Sequence, residues 1–455
     1  MASLSSLLLF HGEFGNFAEN LYIMRNILAM IAAGIVALTG AVSCSAPKAE
    51  EPEFVTVRDG EFYIGDSVYR YVGTNFWYGG LLGAEKYGDR ERLVRELDYL
   101  KEIGLTNLRV LVGGDGREGL ESHISPVLQT APGVYNDTLL EGLDYFLAEL
   151  EKRDMKAVLY LNNAWEWSGG YGTYLEWTGH GPAPLPKDGY KEYVDYVSQF
   201  VLSDSAKQLA LNHVRNIVSR TNSVTGRPYA ESPAIMSWQI ANEPRAFSRE
   251  GKRALADWLR TTARTIKEID SNHLVSTGSE GKYGCEVDLD LWTEIHNYPE
   301  IDYANIHIWP YNWNWINRDT PDGVVNDVDT ACANTLAYIE EHFNALGGKK
   351  PIVLEEFGYP RDSMAIAIGS PTTGRDRYYE FVFSIIRDSG KINGSNFWGW
   401  GGFAQPVHRT WEPGDDYTGD PAQEDQGLNS VFAADSSTVA VIRNMTESLK
   451  TISKS

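Results

Sequence analysis

Residues 238–247 read WQIANEPRAF. Trp238 to Ala241 have strand character, and the run breaks at Asn242-Glu243-Pro244. A proline removes a backbone donor and steers the residue before it towards an extended conformation, so the strand stops there with Glu243 at its end. One charged residue at an exposed strand end is ordinary. With seven other strand ends beside it, Glu243 becomes a catalytic candidate.

To either side, short apolar runs alternate with helical stretches. The runs are YRYVGTNF (69–76), TNLRVLV (106–112), KAVLYL (156–161), AIMSWQI (234–240), HLVSTG (273–278), YANIHIW (303–309), PIVLEE (351–356) and SNFW (395–398). Between them, residues 90–103, 139–152, 206–219, 254–269 and 330–346 place apolar side chains at helical spacing. Eight strands alternating with helices predict an α/β chain folded as a single (β/α)8 TIM barrel with long loops. A doubly wound open sheet is the alternative. It is disfavoured because GTNFWYGG after the first strand offers aromatics where a phosphate-binding glycine loop would stand.

A barrel brings its strand ends to one mouth, where such folds keep their active sites. The polar and aromatic residues expected there are Arg109, Asn162, Asn163, Asn242, Glu243, Glu280, His307, Glu355, Glu356 and Trp398. Strand alternation lets only one of the neighbours Glu355 and Glu356 face the mouth. A pair of carboxylates suits glycosidic bond cleavage, one donating a proton to the leaving oxygen and the other attacking the anomeric carbon.

The chain has 455 residues, 43% hydrophobic and 22% charged, enough for one large barrel. Its net charge of -22, with no basic block, excludes nucleic acid and anionic lipid surfaces, which need clustered Lys and Arg. Aromatics are in excess: 13 Trp and 25 Tyr. Nine of the Trp fall in three groups, at 165, 167 and 177, at 309, 313 and 315, and at 398, 400 and 411. Loop tryptophans offer flat faces to the C–H faces of sugar rings.

From Met24 the chain reads MRNILAMIAAGIVALTGAVSCS, one Arg followed by an apolar run from Ile27 to Val42, too short for a comfortable span. Residues 1–44 are therefore expected to be an export signal with its true start at Met24. Cys44 after Ala41-Val42-Ser43 resembles a lipoprotein cleavage site, with Ala in place of the usual Leu three residues earlier; a plain secretory signal is the alternative. Residues 45–53 read as a polar linker and 54–455 as the catalytic domain. The chain is expected to be exported, touching membrane only through a lipid on Cys44, or else secreted or periplasmic. Cys285 and Cys332 could form one disulfide, and neither has metal-ligand spacing.

NEP (242–244), LEEFG (354–358), IHIW (306–309) and GSNFWGWGG (394–402) resemble family 5 glycoside hydrolases. NNAWEWSGG (162–170), the stretch 220–245 and DDYTGDPAQEDQGLNSVF (415–432) are similar to the β-mannanase subfamily. The resemblance implies a monomeric, retaining endo-β-1,4-mannanase acting on mannan, glucomannan and galactomannan without metal or cofactor. It implies Glu243 as acid/base, Glu356 as nucleophile, Asn242 at the sugar 2-hydroxyl and Arg109 keeping Glu356 ionised. His307 would line the pocket, Trp398 would floor it, Arg245 would contact sugar on the leaving-group side, and Trp165 would stack farther out on the non-reducing side. Trp309 departs from the family's Tyr, which removes a hydroxyl that could reach the nucleophile. A β-1,4-glucanase and a catalytically silent glycan-binding lipoprotein are the alternatives.

Overall fold

The computed structural model describes residues 53–320 and 322–452. The expected signal, Cys44 and nearly all of the linker lie outside them. No helix among the described residues is long and apolar enough to cross a membrane.

Asp59 and Gly60 take positive φ values of 50° and 78°, as a two-residue hairpin turn requires, and join strands Val55–Arg58 and Glu61–Ile64. The hairpin carries Phe62, whose ring meets Tyr303 edge-on at 5.2 Å. With Val55, Tyr71, Val158, Met236 and Val353 it forms a small apolar cluster. Tyr71, Met236 and Val353 lie at or near the starts of barrel strands, so the hairpin plugs the end opposite the mouth.

The barrel strands are β1 (Tyr71–Asn75), β2 (Asn107–Leu111), β3 (Lys156–Tyr160), β4 (Ile235–Gln239), β5 (Leu274–Ser276), β6 (Ala304–Ile308), β7 (Ile352–Phe357) and β8 (Gly394–Phe397). All paired neighbours are parallel, in the order β5-β4-β3-β2-β1-β8-β7-β6. Each of the eight strands expected from the sequence is present. A regular ladder is missing only between β5 and β6, where side chains close the seam. Val275 N donates to Asp302 Oδ2 at 2.6 Å, and the N–H groups of Thr277 and Gly278 donate to Asn305 Oδ1 at 3.0 and 2.9 Å. Asp302 N donates to Val275 O at 2.8 Å.

The outer helices are α1 (Arg90–Glu102), α2 (Asp137–Glu151), α3 (Asp204–Val218), α4 (Lys252–Ile269), α5 (Leu289–His296), α6 (Val328–Leu346), α7 (Thr373–Asp388) and α8 (Ser436–Ile452). Four of them start at side-chain caps: Asp89, Asn136, Ser203 and Asp288 accept backbone N–H groups of the first turn. Cys285 and Cys332 are both free thiols.

The alternation rule fails at one place that matters. Ile306 pairs with Leu354 but His307 pairs with Glu356, so Glu355 is the extra residue of a bulge. Both glutamates therefore point into the barrel: Glu356 alone lines the cavity at the mouth, as expected, but the premise that its neighbour points to the opposite face fails. Glu355 occupies the layer beneath the mouth, accepting from Gln239 Nε2 at 2.6 Å and Tyr303 OH at 3.2 Å. Burial pushes its carboxyl up to about 7.

Candidate active site

Glu243 lies just past β4, held by its N–H donating to Gly278 O at 3.0 Å. Its φ is 47°, so the expected extended conformation is wrong. Proline steers its predecessor towards extended conformations, so this left-handed one is held against the local preference. The cost of that conformation, of order 1–3 kcal/mol, is typical of a functional position. Trp165 Nε1–H donates to Glu243 Oε2 at 2.6 Å, and His307 Nδ1 lies 2.9 Å from Oε1.

Glu356 stands across the mouth on β7. Arg109 Nη1 donates to its Oε1 at 2.5 Å, and His307 Nδ1 is 3.4 Å from its Oε2. Acid oxygens of Glu243 and Glu356 and a ring nitrogen of His307 lie within 4.8 Å of one another. Burial pushes the Glu356 carboxyl up, opposed by His307 and Arg109 and reinforced by Glu243. Burial also holds His307 down at about 4, so the ring is neutral at neutral pH. It can then donate Nδ1–H to the carboxylates while its Nε2, enclosed without a partner, stays bare. Two carboxylates and an imidazole could ligate a cation. Arg109, however, already occupies one oxygen of Glu356 with positive charge, so the set favours proton and nucleophile chemistry.

Arg109 is fully buried on β2 and organises the mouth. Beyond Glu356 it donates to Gln239 Oε1 at 2.8 Å, Asn75 Oδ1 at 2.9 Å and Asn242 Oδ1 at 2.8 Å, with Tyr160 below its plane at 4.5 Å. Asn242 is thereby oriented, and its Nδ2 donates to Asn163 Oδ1 at 3.2 Å.

The groups open into a cavity of about 330 Å³. Trp398 and Trp309 form an edge-to-face pair at 6.2 Å in its wall, and Trp167 meets Trp398 at 6.3 Å. Arg245 ion-pairs with Glu280 and lies 5.4 Å over the Trp165 ring. Trp165 is thus beside Glu243 and Arg245, not farther out as expected from the resemblance; its ring also stacks on Tyr193 at 6.1 Å. The structure brings together the nine residues that the resemblance singles out, Arg109 and His307 beneath the cavity and Trp165, Asn242, Glu243, Arg245, Trp309, Glu356 and Trp398 in its lining, together with Glu280.

Loops supply what sequence reasoning passed over: Glu166, Tyr190, Asn312, Trp313, Gln423 and Glu424 also line the cavity. Burial lifts Glu166 to about 7 and Glu424 to about 8, the latter helped by Asp420, Glu356 and Glu243. Trp313 belongs to a tryptophan group visible in the sequence, and Glu424 to the 415–432 stretch. The lobe bearing Gln423 and Glu424 is tightly built. Asp420 accepts the N–H groups of Gly427, Asn429 and Ser430 at 2.8, 2.9 and 3.1 Å, and Gln426 Nε2 donates to three backbone carbonyls. A Cβ on Gly419 would meet the Gly399 carbonyl carbon at 2.5 Å, so only glycine lets this lobe approach the end of β8.

Facing carboxyls at the C-terminal mouth of a parallel eight-stranded barrel, flanked by tryptophans, define a glycoside hydrolase. The family model for glycoside hydrolase family 5 β-mannosidase-like proteins matches residues 52–454, and the chain belongs to that family. Its backbone is similar to that of a family 5 mannosidase from Rhizomucor miehei solved with mannosyl-fructose (TM-score 0.81, 32% identity, covering 89% of this chain and 99% of that one). An endo-1,4-beta-mannanase from the same organism shares the fold (TM-score 0.64, 22% identity, 88% of this chain and 99% of that one). Among curated proteins, mannan endo-1,4-beta-mannosidase 1 of Arabidopsis thaliana is 31% identical over 286 residues, which is 59% of this chain and 63% of the relative.

Proposed function

We propose that the chain hydrolyses β-1,4-mannosidic bonds of mannan-type polysaccharides with retention of configuration. The observation that carries the reading is the carboxyl pair: two acids within 4.8 Å across one cavity, only one of them bonded to a guanidinium. Retaining enzymes hold their carboxyls about 5–5.5 Å apart, whereas inverting enzymes leave room for a water. Two acids so close resist joint ionisation. Arg109 bonds Glu356 and not Glu243, which favours the negative charge on Glu356 and its role as nucleophile.

Glu356 then attacks the anomeric carbon while Glu243 gives its proton to the glycosidic oxygen. In the second step Glu243 takes a proton from water, which displaces Glu356. Asn242, fixed by Arg109, holds the 2-hydroxyl. Trp398 supports the sugar whose bond is broken, Trp309 adds packing to the wall, and Arg245 with Trp165 lies on the leaving-group side.

The names of the curated relatives support internal cutting of mannan; glucomannan and galactomannan are added by the motif resemblance alone. A second reading, release of mannose from chain ends, is favoured by the cavity itself. At about 330 Å³ it is near the lower limit for ligand pockets, about 300 Å³, and Glu424 Oε2 and Gln423 Oε1 are enclosed in it without partners. The likeness to a solved mannosidase points the same way.

The test is a product profile on mannohexaose, galactomannan, glucomannan and carboxymethylcellulose, with the first-formed anomer followed by NMR. Mixed oligosaccharides of β configuration support internal cutting, and mannose alone supports chain-end release. Cleavage of carboxymethylcellulose without cleavage of any mannan, or a first-formed α anomer, contradicts the proposal. The export reading is tested separately: Cys44→Ser should release the protein from membranes, and wild-type protein found wholly in the soluble fraction would overturn the lipid anchor.

A further inference from the structure

A second cavity, of about 520 Å³, opens between the loop after β1 and the segment leading to Tyr417. Its walls include Tyr87, Glu118, Trp411 and Asp416, with Arg92 and Tyr417 in the lining. Trp411 lies parallel to Tyr417, 5.5 Å away at 12°, and its Nε1–H donates to Asp415 O at 3.2 Å. The ring is therefore held at a set angle rather than left to rotate. Tyr87 is 39% exposed, unusual for so large an aromatic with no place in the core.

Arg92 is nearly inaccessible and already engaged, donating to Glu96 Oε1 at 3.0 Å, Tyr78 OH at 3.2 Å and Tyr417 O at 2.9 Å. Asp416 accepts from Gln405 N at 2.9 Å and pairs with Arg92 Nη1 at 3.7 Å, yet its side chain remains 44% exposed. The cavity thus offers the rings of Trp411 and Tyr87, the latter 4.9 Å from Lys86 Nζ, and the partly exposed carboxylate of Asp416. That chemistry suits a neutral ligand bearing apolar C–H faces and hydroxyl donors, and repels an anionic one.

The two cavities share a wall. Tyr417 meets Trp77 edge-on at 5.7 Å, and Trp77 meets Trp167 of the active cavity at 5.8 Å. Trp77 Nε1–H also donates at 3.2 Å to Gly419 O, at the base of the lobe that carries Glu424. A polysaccharide engaged at the mouth has the second cavity within reach on the same face. Trp411 belongs to the tryptophan group at 398, 400 and 411, of which only Trp398 lines the active cavity.

We propose that this cavity is an accessory glycan site that holds a sugar unit of a neutral β-linked polysaccharide, stacked on Trp411 and Tyr87 and hydrogen-bonded to Asp416. The proposal rests on the reading of the chain as a mannan-degrading enzyme and adds a site that raises affinity for polymers without touching the reacting bond.

The test uses the full chain with Trp411→Ala, Trp411→Tyr and Tyr87→Ala. Binding is read by affinity electrophoresis in gels containing glucomannan, galactomannan or hydroxyethylcellulose, and turnover is read on mannotriose. Loss of one stacking face should weaken retention by glucomannan or galactomannan about three- to tenfold. Mannotriose turnover should stay unchanged, and Trp411→Tyr should recover most of the retention. Unchanged retention in both alanine variants overturns the proposal. So does a parallel loss of mannotriose turnover, which would place Trp411 in the service of the active cavity. If wild-type protein cleaves no mannan yet its retention by any of the gels is lost in the alanine variants, the accessory site stands and the mannan reading falls.

Discussion

Replacing Glu355 by Gln separates the two neighbouring glutamates by a thermodynamic signature. Glu355 is inaccessible, and burial lifts its carboxyl from an ordinary 4.5 to about 7. A folded-state value above the unfolded one means that the folded chain binds the proton more tightly. The contribution to stability is therefore fully present below about pH 4.5 and is lost as pH rises through about 7. A shift of roughly 2.5 units at 1.36 kcal/mol per unit corresponds to about 3 kcal/mol. Glutamine keeps the shape, accepts from Gln239 through its oxygen and can donate towards Tyr303, but does not ionise. The variant should match wild type near pH 4.5 and exceed it by about 3 kcal/mol above pH 8. With an unfolding entropy of about 2 cal/mol/K per residue over roughly 400 residues, that is a rise of about 4 °C in Tm. Scanning calorimetry of both proteins from pH 4.5 to 8.5 reads the difference, and turnover should survive. A Tm difference independent of pH would refute the buried-acid argument. A dead Glu355→Gln beside an active Glu356→Gln would move the reacting carboxyl by one residue.

Arg109→Met removes the donor shared by Glu356, Asn242, Gln239 and Asn75 and leaves buried carboxylates uncompensated. The expected cost is about 3–5 kcal/mol in urea unfolding, with kcat reduced at least a hundredfold; a variant of unchanged stability would contradict the bridge. Trp165→Phe keeps a ring beside Tyr193 and Phe247 but deletes the N–H bond to Glu243. The bond strengthens as Glu243 gives up its proton, and a hydrogen bond to a charged group is worth about 1.5–3 kcal/mol, so kcat on mannotriose should fall roughly tenfold or more. A fall confined to KM would instead make Trp165 a sugar platform.

The eight strands were legible because each is a short apolar run bounded by a helical pattern, and Glu243 because a proline ends its strand, whereas Glu356 was separated from Glu355 only by the motif resemblance. Three features were hidden for identifiable reasons. Glu355 reads as outward under strict alternation, and only the pairing with β6 reveals the bulge that turns it inward. Glu243 reads as extended because proline steers its predecessor there, and only the structure shows that its fixed place past the strand end overrides that preference. Glu166, Gln423 and Glu424 sit on loops whose path is set by distant anchors such as Asp420, with no periodicity to expose them. The same holds for the β5–β6 seam, where Asp302 and Asn305 replace backbone pairing with side-chain acceptors.

The central claim is that Glu243 and Glu356 divide one double displacement between them, and azide rescue tests it most directly. Glu243→Ala should still be glycosylated by an aryl β-mannoside whose leaving group needs no proton. Added azide should then accelerate its second step and yield the β-mannosyl azide. Glu356→Ala should be inactive alone and give the α-mannosyl azide, because azide enters from the face that the missing carboxylate would have used. The two products, read by NMR from parallel reactions, fix both roles at once. An α product from Glu243→Ala with a β product from Glu356→Ala would reverse the assignment, and wild-type turnover in either variant without azide would remove that residue from the mechanism.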